Sequence, residues 1–310
     1  MGSTTVSVAA LPGYDRALER LAHRGRPSAF VDVAGDDRMA FLQGQLTQEM
    51  RGLAPGETRD AAGLTPKGKL LFVARAVGSA DRILLVLPAV LRTPVFEHLR
   101  KYVLGSRATI EDRSDELFRV GLYGPGAARL HVPADVLLLP AEGEFSAELL
   151  APVALSAEVE RLLVQAGSEE VSGEAAEILR VEAGRPRFGT DMDSKNLPDE
   201  VGLARAISTT KGCYVGQEVV ARLRTYGRVN RRLVRFRFGR RPIDPGTVLR
   251  LPGEEKPGKV EAGRVTSSAV SPRFGAIGLG YAFRDVLDGD RLVSTLHAED
   301  TAIVSDLAPA

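Results

Sequence analysis

The chain is poor in the residues that build metal centres. Its 310 residues include one cysteine, four histidines and no tryptophan. The single Cys213 cannot close an internal disulfide, and it cannot by itself form the thiolate cluster of a structural zinc or iron–sulfur centre. The histidines are scattered, with no pair at helical or hairpin spacing: His23, His98, His131 and His297. We therefore expect no stably bound metal.

Long apolar runs and a secretion signal are missing as well. A membrane-spanning helix needs about 20 apolar residues, and the best run, residues 83–91, is interrupted by Pro88. The first ten residues carry no basic cluster ahead of an apolar stretch, which argues against a secretory signal. We expect a cytoplasmic protein without a membrane partner.

The composition that remains is that of an ordinary globular protein, 44% apolar and 26% charged. At roughly 150 residues per domain the length predicts about two domains, with three small ones as the alternative. The net charge of +1 hides two blocks. Residues 142–177 hold nine acids and one base, whereas residues 211–241 hold ten bases and one acid. The blocks are either solvated faces or, for the second, a positive channel for an anionic ligand or nucleic acid.

Hydrophobic periodicity predicts an α+β body followed by a β-domain. Helices are predicted near residues 14–21, after Gly35, behind a Thr93-Pro94 cap, and over 157–166 and 175–183. Strands are predicted over residues 29–33, 70–77 and 82–87, the last two as a hairpin. After about residue 229, short runs separated by Gly and Pro indicate a small β-barrel or sandwich: residues 234–238, 247–251, 260–266, 276–281 and 292–296.

Residues 63–70 nearly match a phosphate-binding P-loop. That loop needs a buried strand before it, a helix after it and a hydroxyl group that binds magnesium. Here residues 55–60 are polar, a strand is predicted from Leu70 onward, and Leu70 has no hydroxyl. We interpret the segment as a turn with two exposed lysines.

The octet KGCYVGQE, residues 211–218, is more distinctive. Gly212 and Gly216 would allow a tight backbone that approaches a ligand closely, just before a predicted helix. Lys211 and the helix N-terminus would favour the thiolate of Cys213 if the fold brings them close. The alternative is that Cys213 is a small buried hydrophobe, which is the usual fate of a free cysteine.

This octet resembles the signature of the YgfZ family of folate-binding proteins, relatives of the aminomethyltransferase (T-protein, GcvT) of the glycine cleavage system. Other segments resemble the family in matching order between residues 28 and 240: FLQGQLT at 41–47, LTPKGK at 64–69, and the R-x-E-x-G…P-x-E stretch at 180–200. The octet is highly specific, and the other segments are individually weaker.

The resemblance implies an α+β fold in which three domains form a ring around a central folate cavity. Its first α/β domain would be discontinuous, with residues 1–51 and 114–228. A second α/β domain would be inserted at residues 52–113, and residues 229–310 would form a C-terminal β-barrel. The break near residue 228 agrees with the change in hydrophobic pattern, whereas the discontinuity comes from the resemblance.

The implied ligand is tetrahydrofolate or a one-carbon derivative. Its pterin edge carries paired N–H donors, which a carboxylate accepts bidentately. The matching acids are Glu200 in the P-x-E segment and Glu182 in the R-x-E-x-G segment. The alternatives are a helix-capping role for Glu200 and a surface position for Glu182.

Guanidinium groups pair well with carboxylates, so we expect arginines to bind the anionic glutamate tail of a folate. The basic tract supplies candidates: Arg222, Arg224, Arg228, Arg231 and Arg232. Tyr214 or Tyr226 would stack on flat rings or, equally, pack in the core. Within the octet the resemblance points to Cys213 and Lys211 as the reactive pair, and to Gly216 and Gln217 beside the ligand.

One departure from the family bears on activity. In T-proteins the strand after the PKG-like turn carries acids, one of which acts in aminomethyl transfer. Here residues 69–74 read KLLFVA, without a carboxylate that would steer protons or stabilise a cation. We therefore expect a folate-dependent accessory factor in the maturation or repair of iron–sulfur enzymes, tRNA-modifying ones included.

Two other functions remain as alternatives. The first is a one-carbon transferase, which the missing carboxylate disfavours. The second is a nucleic-acid-binding module built on residues 211–241, but two interleaved tyrosines are a thin provision for stacking on bases. We do not expect direct nucleic-acid binding.

Overall fold

The computed structural model describes residues 11–141, 144–253 and 261–307. Its helices are α1 (Tyr14–Glu19), α2 (Arg38–Gln45), α3 (Arg92–Tyr102), α4 (Ser156–Gln165), α5 (Gly173–Glu182) and α6 (Gln217–Tyr226). Its strands are β1 (Ala22–Gly25), β2 (Ser28–Ala34), β3 (Thr58–Leu64), β4 (Leu70–Gly78), β5 (Arg82–Pro88), β6 (Thr109–Asp112), β7 (Leu117–Tyr123), β8 (Leu137–Pro140), β9 (Ala147–Pro152), β10 (Glu169–Glu170), β11 (Arg231–Phe238), β12 (Val248–Arg250), β13 (Gly263–Ser271), β14 (Gly275–Phe283), β15 (Arg291–Ser294) and β16 (Thr301–Asp306). In this part of the chain the strands form two five-stranded sheets and a closed barrel.

The first sheet has the strand order β10-β1-β7-β9-β8 and separates two cores. Because successive side chains of a strand point to opposite faces, β7 contributes to both. Leu122 packs with Val159 and Leu163 of α4 on one side, and Tyr123 packs with residues of α1 and α5 on the other. Helix α5 begins after Ser172, whose hydroxyl accepts a hydrogen bond from the backbone N–H of Ala175.

The second sheet is antiparallel, in the order β3-β4-β5-β2-β6. Helices α2 and α3 cover one face: Leu42, Leu99 and Leu46, the residue after α2, pack against Phe72 and Leu85 of the sheet. Strand β2 pairs with β5 and β6, so residues 28–34 share a sheet with strands from the segment 58–112. The domain boundaries given above stay a prediction.

The C-terminal strands close a barrel in the order β11-β14-β13-β12-β15-β16. Val234, Phe236 and Phe238 of β11 fill its core, while Arg235 and Arg237 alternate with them, as period-two patterning requires. The predicted β-domain is therefore confirmed as a barrel. Strand β16 was not predicted, and the predicted strand start at residue 260 lies outside the described residues.

Two local predictions are wrong in detail. Helix α3 begins at Arg92 rather than behind Thr93, because a 3₁₀ turn, Ala89–Leu91, leads directly into it. Residues 58–60 belong to β3 despite their polar character, because the strand is half exposed at its start and buried from Ala61 onward. Since β3 is followed by strand β4 and not by a helix, the interpretation of residues 63–70 as a turn is confirmed. Of its two lysines only Lys67 is exposed, because Lys69 is half-buried and its Nζ donates to the Lys195 carbonyl at 2.7 Å. No helix within the described ranges is long and apolar enough to span a membrane.

Candidate functional site

The octet is fixed to the segment around α2 by a buried lysine. Lys211 is 6% exposed, and its Nζ donates hydrogen bonds to the backbone carbonyls of Gln43 at 2.7 Å, Leu46 at 2.6 Å and Gln48 at 2.9 Å. Helix α2 ends at Gln45, so these carbonyls lie near the negative end of its dipole. Burial lowers the pKa of Lys211 to about 8, and the nearby carboxylate of Glu49 acts in the opposite direction.

The octet also packs on the turn between β3 and β4. Gly68 has φ 71° and Gly216 has φ 83°, the left-handed region that favours glycine. A Cβ atom on Gly216 would lie 2.5 Å from the carbonyl oxygen of Thr65. Three segments that resemble the family at separate places in the sequence therefore meet in one cluster. Gly216 packs against the backbone of the β3–β4 turn and not against open space.

The thiol of this cluster is at the surface. Cys213 is exposed, so its interpretation as a buried hydrophobe is wrong. Tyr214, in contrast, is 8% exposed and packs among Leu64, Leu70 and Val220. The ammonium of Lys211 lies 5.1 Å from the centre of the Tyr214 ring. Gln217 is the first residue of α6 and is half-buried.

A cavity of about 680 Å³ lies between the two sheets. Arginines dominate its charged lining, together with two acids: Arg24, Arg26, Arg119, Arg180, Arg185, Arg187, Glu144 and Glu177. Val73, Phe188 and Met192 supply apolar surface. This volume lies within the range of pockets that bind drug-sized molecules.

Two further cavities adjoin this one. A cavity of about 240 Å³ is lined by Asp60, Arg75, Phe145 and Glu148, among others. A cavity of about 420 Å³ reaches the barrel and is lined by Glu200, Arg232 and Arg235, among others. Arg185 and Pro186 border each of these cavities. We call the three together the central hollow.

Ion pairs hold the charged wall of the central hollow. Arg180 pairs with Asp191 at 2.6 Å, and both side chains are almost fully buried. Arg187 pairs with Glu177 at 2.5 Å, and Arg119 pairs with Glu148. Arginines outnumber acids in the lining of the largest of these three cavities, which suits a ligand that carries carboxylates. Sequence reasoning missed these arginines; the only local signal is the spacing R-x-R beside a proline, at residues 24–27 and 185–187.

Glu200 lines the part of the central hollow next to the barrel. It is 6% exposed, and its Oε2 accepts from the Asn196 side chain at 3.1 Å, the Leu197 backbone N–H at 3.2 Å and Arg231 at 3.3 Å. Leu197 precedes the 3₁₀ helix Pro198–Val201, so Glu200 also fills the capping role considered above. Its role in ligand binding stays a prediction.

Glu182 lies elsewhere, in the contact between α1, α5 and the barrel. Its Oε1 accepts hydrogen bonds from the hydroxyls of Tyr14 and of Ser271, the latter at 2.5 Å, and its Oε2 lies 3.5 Å from Arg273. The side chain is 5% exposed, so the interpretation as a surface acid is wrong. The structure does not bring Glu182 and Glu200 to the same cavity.

Some arginines of the basic tract, residues 211–241, form ion pairs with acids, and others are exposed to solvent. Arg224 pairs with Asp199 at 2.7 Å, and Arg232, which also lines the hollow, pairs with Asp306 at 2.7 Å. The guanidinium of Arg231 stacks 4.6 Å above Tyr281. Exposed positions on and after α6 are occupied by Arg222, Tyr226 and Arg228. The contact of the two arginines with a folate tail, and the stacking of Tyr226 on flat rings, stay predictions, whereas the alternative that Tyr226 packs in the core is wrong because its side chain is exposed.

Strand β4 presents Val73 to the central hollow, and residues 69–74, where the sequence departs from the T-proteins, supply no carboxylate there. The acids that reach the same cavities come from other elements: Asp60, Glu144, Glu148 and Glu177. Asp60 is paired with Arg75 at 2.9 Å. Among the residues with described positions, no group of three His, Cys, Asp or Glu side chains is arranged to hold a metal ion.

A comparison of the sequence with known proteins identifies relatives of this chain. An uncharacterized protein of Haemophilus influenzae is 30% identical over 212 residues, which cover 67% of this chain and 70% of that protein. The tRNA-modifying protein YgfZ of Colwellia psychrerythraea is 26% identical over 222 residues, 66% of this chain and 67% of that protein. No protein-family model matches the chain.

Among solved structures, the glycine cleavage system aminomethyltransferase T from Bartonella henselae matches with a TM-score of 0.83. The match covers 96% of this chain and 88% of that one at 20% identity. The predicted fold, a multi-domain α/β body of the aminomethyltransferase type with a C-terminal β-barrel, is therefore confirmed.

Proposed function

Because the chain belongs to the superfamily that contains the YgfZ proteins and the glycine-cleavage aminomethyltransferases, we propose that it binds tetrahydrofolate or a one-carbon derivative in the central hollow. The observation that carries this proposal is the hollow itself, where guanidinium groups, carboxylates and apolar side chains line connected cavities. These are the groups that a charged tail and a flat, N–H-bearing ring system require.

The two ends of a folate have different partners in this proposal. Val73, Phe188 and Met192 offer apolar surface to the flat rings, and a carboxylate of the hollow accepts their N–H groups. The glutamate tail lies against arginines. Arg187, which is 43% exposed at the rim, is a better placed partner than Arg222, which lies on helix α6 outside the lining.

The thiol acts separately from the ligand pocket in this proposal. In the part of the chain that the structure describes, Cys213 is not among the residues that line the central hollow, and it is exposed to solvent. It is therefore accessible to another protein. Lys211 positions the loop through the carbonyls of the α2 segment.

We propose that this thiol serves a cytoplasmic accessory role in the maturation or repair of iron–sulfur enzymes, tRNA-modifying ones included. The support is the octet itself, the surface position of Cys213, and a relative named as a tRNA-modifying protein. Folate in the hollow would then be the ligand on which this role depends.

A second candidate is an aminomethyltransferase, because relatives of this chain include proteins with that name. Val73 at the wall of the hollow speaks against it, because an apolar side chain cannot steer a proton or stabilise a cation.

Calorimetric titration with tetrahydrofolate tests the proposal, run beside a turnover assay with the other glycine-cleavage components. We expect saturable binding without turnover. We also expect Arg187→Gln to weaken binding about tenfold, the usual cost of one charge-assisted contact, and the matched surface variant Arg222→Gln to leave it unchanged. Turnover would favour the transferase, and the absence of binding to any reduced folate would overturn the proposal.

A further inference from the structure

Strand β11 carries four arginines, and two of them lack a counter-charge. Arg231 and Arg232 each pair with an acid. Arg235 and Arg237 form no hydrogen bond or ion pair with another residue in the described ranges. Arg237 is exposed, so water satisfies it, but Arg235 is half-buried. A guanidinium that is withdrawn from water without an anion costs free energy and needs an explanation.

The nitrogens of Arg235 differ in their access to solvent. Its Nε is buried without a partner, whereas Nη1 and Nη2, which have no partner within the described chain either, keep accessible surface. Burial lowers the pKa of Arg235, and no neighbouring charge opposes this effect. The outer edge of this guanidinium is therefore free to pair with an anion from outside the chain.

The turn after α5 positions this guanidinium. Gly184 in that turn has φ 69°, in the left-handed region that favours glycine. A Cβ atom on Gly184 would lie 2.8 Å from Nη2 of Arg235 and 2.9 Å from its Nε. Because Gly184 has no side chain, the guanidinium packs directly on the turn and is held there without an acid.

A cavity of about 180 Å³ lies where α5 meets the outer face of the barrel, and we call it the barrel pocket. Arg235 and Arg237 both line it. They are two residues apart on β11 and so share one face of the strand, with about 7 Å between their Cα atoms. Val181, Ile277 and Phe274 give the pocket an apolar wall.

One acid, Glu182, also lines the barrel pocket, but both of its oxygens are engaged. Its Oε1 accepts from the hydroxyls of Tyr14 and Ser271, and its Oε2 lies 3.5 Å from Arg273. The two guanidinium groups of β11 are therefore left for a ligand. The negative charge of Glu182 favours a singly charged anion over a doubly charged phosphate.

The size and the apolar wall of the pocket limit the rest of the ligand. Its volume of about 180 Å³ is similar to that of an apolar cavity of about 150 Å³ that binds benzene. We propose that the barrel pocket binds a small organic carboxylate, with the carboxylate on Arg235 and Arg237 and an apolar body of about one ring against Phe274 and Ile277.

This inference goes beyond the proposed function and is independent of it. The barrel pocket shares no lining residue with the largest cavity of the central hollow. With the cavity next to the barrel it shares Arg235, which stands between the two. Arg237 lines the barrel pocket and not the hollow, whereas Arg232 lines the hollow and not the barrel pocket. These two arginines therefore distinguish the sites.

The test is a ligand-observed NMR titration of the full chain with benzoate, at constant ionic strength so that screening is the same in every sample. Wild type should bind benzoate saturably. Arg235→Gln should weaken binding at least about tenfold, and Arg237→Gln, which removes a more exposed charge, about fivefold. The matched control is Arg284→Gln, at an exposed arginine after β14 that does not line the pocket, and it should bind as wild type.

Two other anions test the assigned ligand chemistry. Acetate keeps the carboxylate but lacks the ring, and inorganic phosphate carries more charge without an apolar body. Both should bind at least about tenfold more weakly than benzoate. Phe274→Ala should weaken the binding of benzoate and leave that of acetate unchanged. Equal affinity for the three anions would indicate an unspecific positive surface and would overturn the inference.

Other outcomes contradict the barrel pocket without bearing on folate binding. The inference is overturned if wild type does not bind benzoate, or if Arg235→Gln and Arg237→Gln both bind it as wild type does. Loss of binding in Arg232→Gln with unchanged binding in Arg237→Gln would place the anion in the hollow and overturn it as well.

Circular dichroism checks that the variants fold. If Arg235→Gln does not fold, Arg235→Lys takes its place, because it keeps the charge and loses the planar fork. It should weaken binding about threefold or more. Unchanged affinity in both Arg235→Lys and Arg237→Gln would then overturn the inference.

Discussion

Gly68 and Gly216 face each other where the β3–β4 turn meets the octet: a Cβ atom on Gly216 would lie 3.3 Å from the Cα atom of Gly68. Two glycines 148 residues apart in sequence thus allow two backbone segments to touch. Two contacts fix the loop that carries Cys213. Gly216 packs on the β3–β4 turn, and Lys211 donates hydrogen bonds to carbonyls of the α2 segment. Its conformation is therefore a property of the whole contact and not of the octet alone.

Gly216→Ala should destabilise the protein by about 2 kcal/mol or more. The change forces an L-residue into the left-handed region and brings its Cβ to 2.5 Å from the Thr65 carbonyl oxygen. Urea denaturation measures the effect. Gly212→Ala is the control in the same octet, because nothing lies within 4 Å of a Cβ there. Equal stability of the two variants would contradict the packing account.

Cys213→Ser should leave the free energy of unfolding within about 0.5 kcal/mol of wild type, because an exposed side chain contributes little to the core. It should nevertheless abolish the cellular role, measured by complementation of a strain that lacks the protein. The folded wild type should also react stoichiometrically with a thiol reagent. Loss of folding in the variant would show that the thiol is structural.

Lys211→Met should lower the free energy of unfolding by about 2–4 kcal/mol, because it leaves the carbonyls of Gln43, Leu46 and Gln48 without their donor. Thermal and chemical denaturation measure the loss. Lys67→Met, at an exposed lysine of the β3–β4 turn, is the control and should change stability little. A stable Lys211→Met variant with an unreactive Cys213 would instead assign the lysine a direct role in thiol chemistry.

Glu144→Gln should stabilise the ligand-free protein at neutral pH and not in acid. A carboxyl group whose pKa is raised on folding contributes its full stability below its unfolded pKa and loses it as pH rises through the folded value. The stability gap between variant and wild type should therefore widen as the pH rises from about 4, near the ordinary pKa of a glutamate, towards neutrality. Urea denaturation across that range measures it, and a gap that narrows with rising pH would contradict the burial of this charge.

Local signals in the sequence predicted much of the fold. Helix α6 begins at Gln217, directly after a glycine in the left-handed conformation, as the octet suggested. The alternation of Val234, Phe236 and Phe238 with arginines predicted β11 and the barrel. These features depend on residues that are close together in the chain. Hydrophobic periodicity and capping residues therefore reveal them in a single sequence.

The composition of the hollow was not predictable in the same way. Arg26, Arg119, Arg185 and Glu144 come from separate parts of the chain, and the R-x-R spacing beside a proline near Arg26 and Arg185 does not by itself mark a cavity. The exposure of Cys213 and the burial of Lys211 likewise depend on which segments fold over the octet. The octet can be recognised in the sequence, but the sequence does not reveal whether its thiol faces the hollow or the solvent.

The most direct test of folate binding in the central hollow is a crystal structure grown with tetrahydrofolate. We predict a ligand whose ring system lies against Val73, Phe188 and Met192 and whose glutamate lies among the arginines near Arg187, with Cys213 out of contact. A ligand seated against the octet on the outer surface, or a hollow that stays filled with water at saturating tetrahydrofolate, would contradict it.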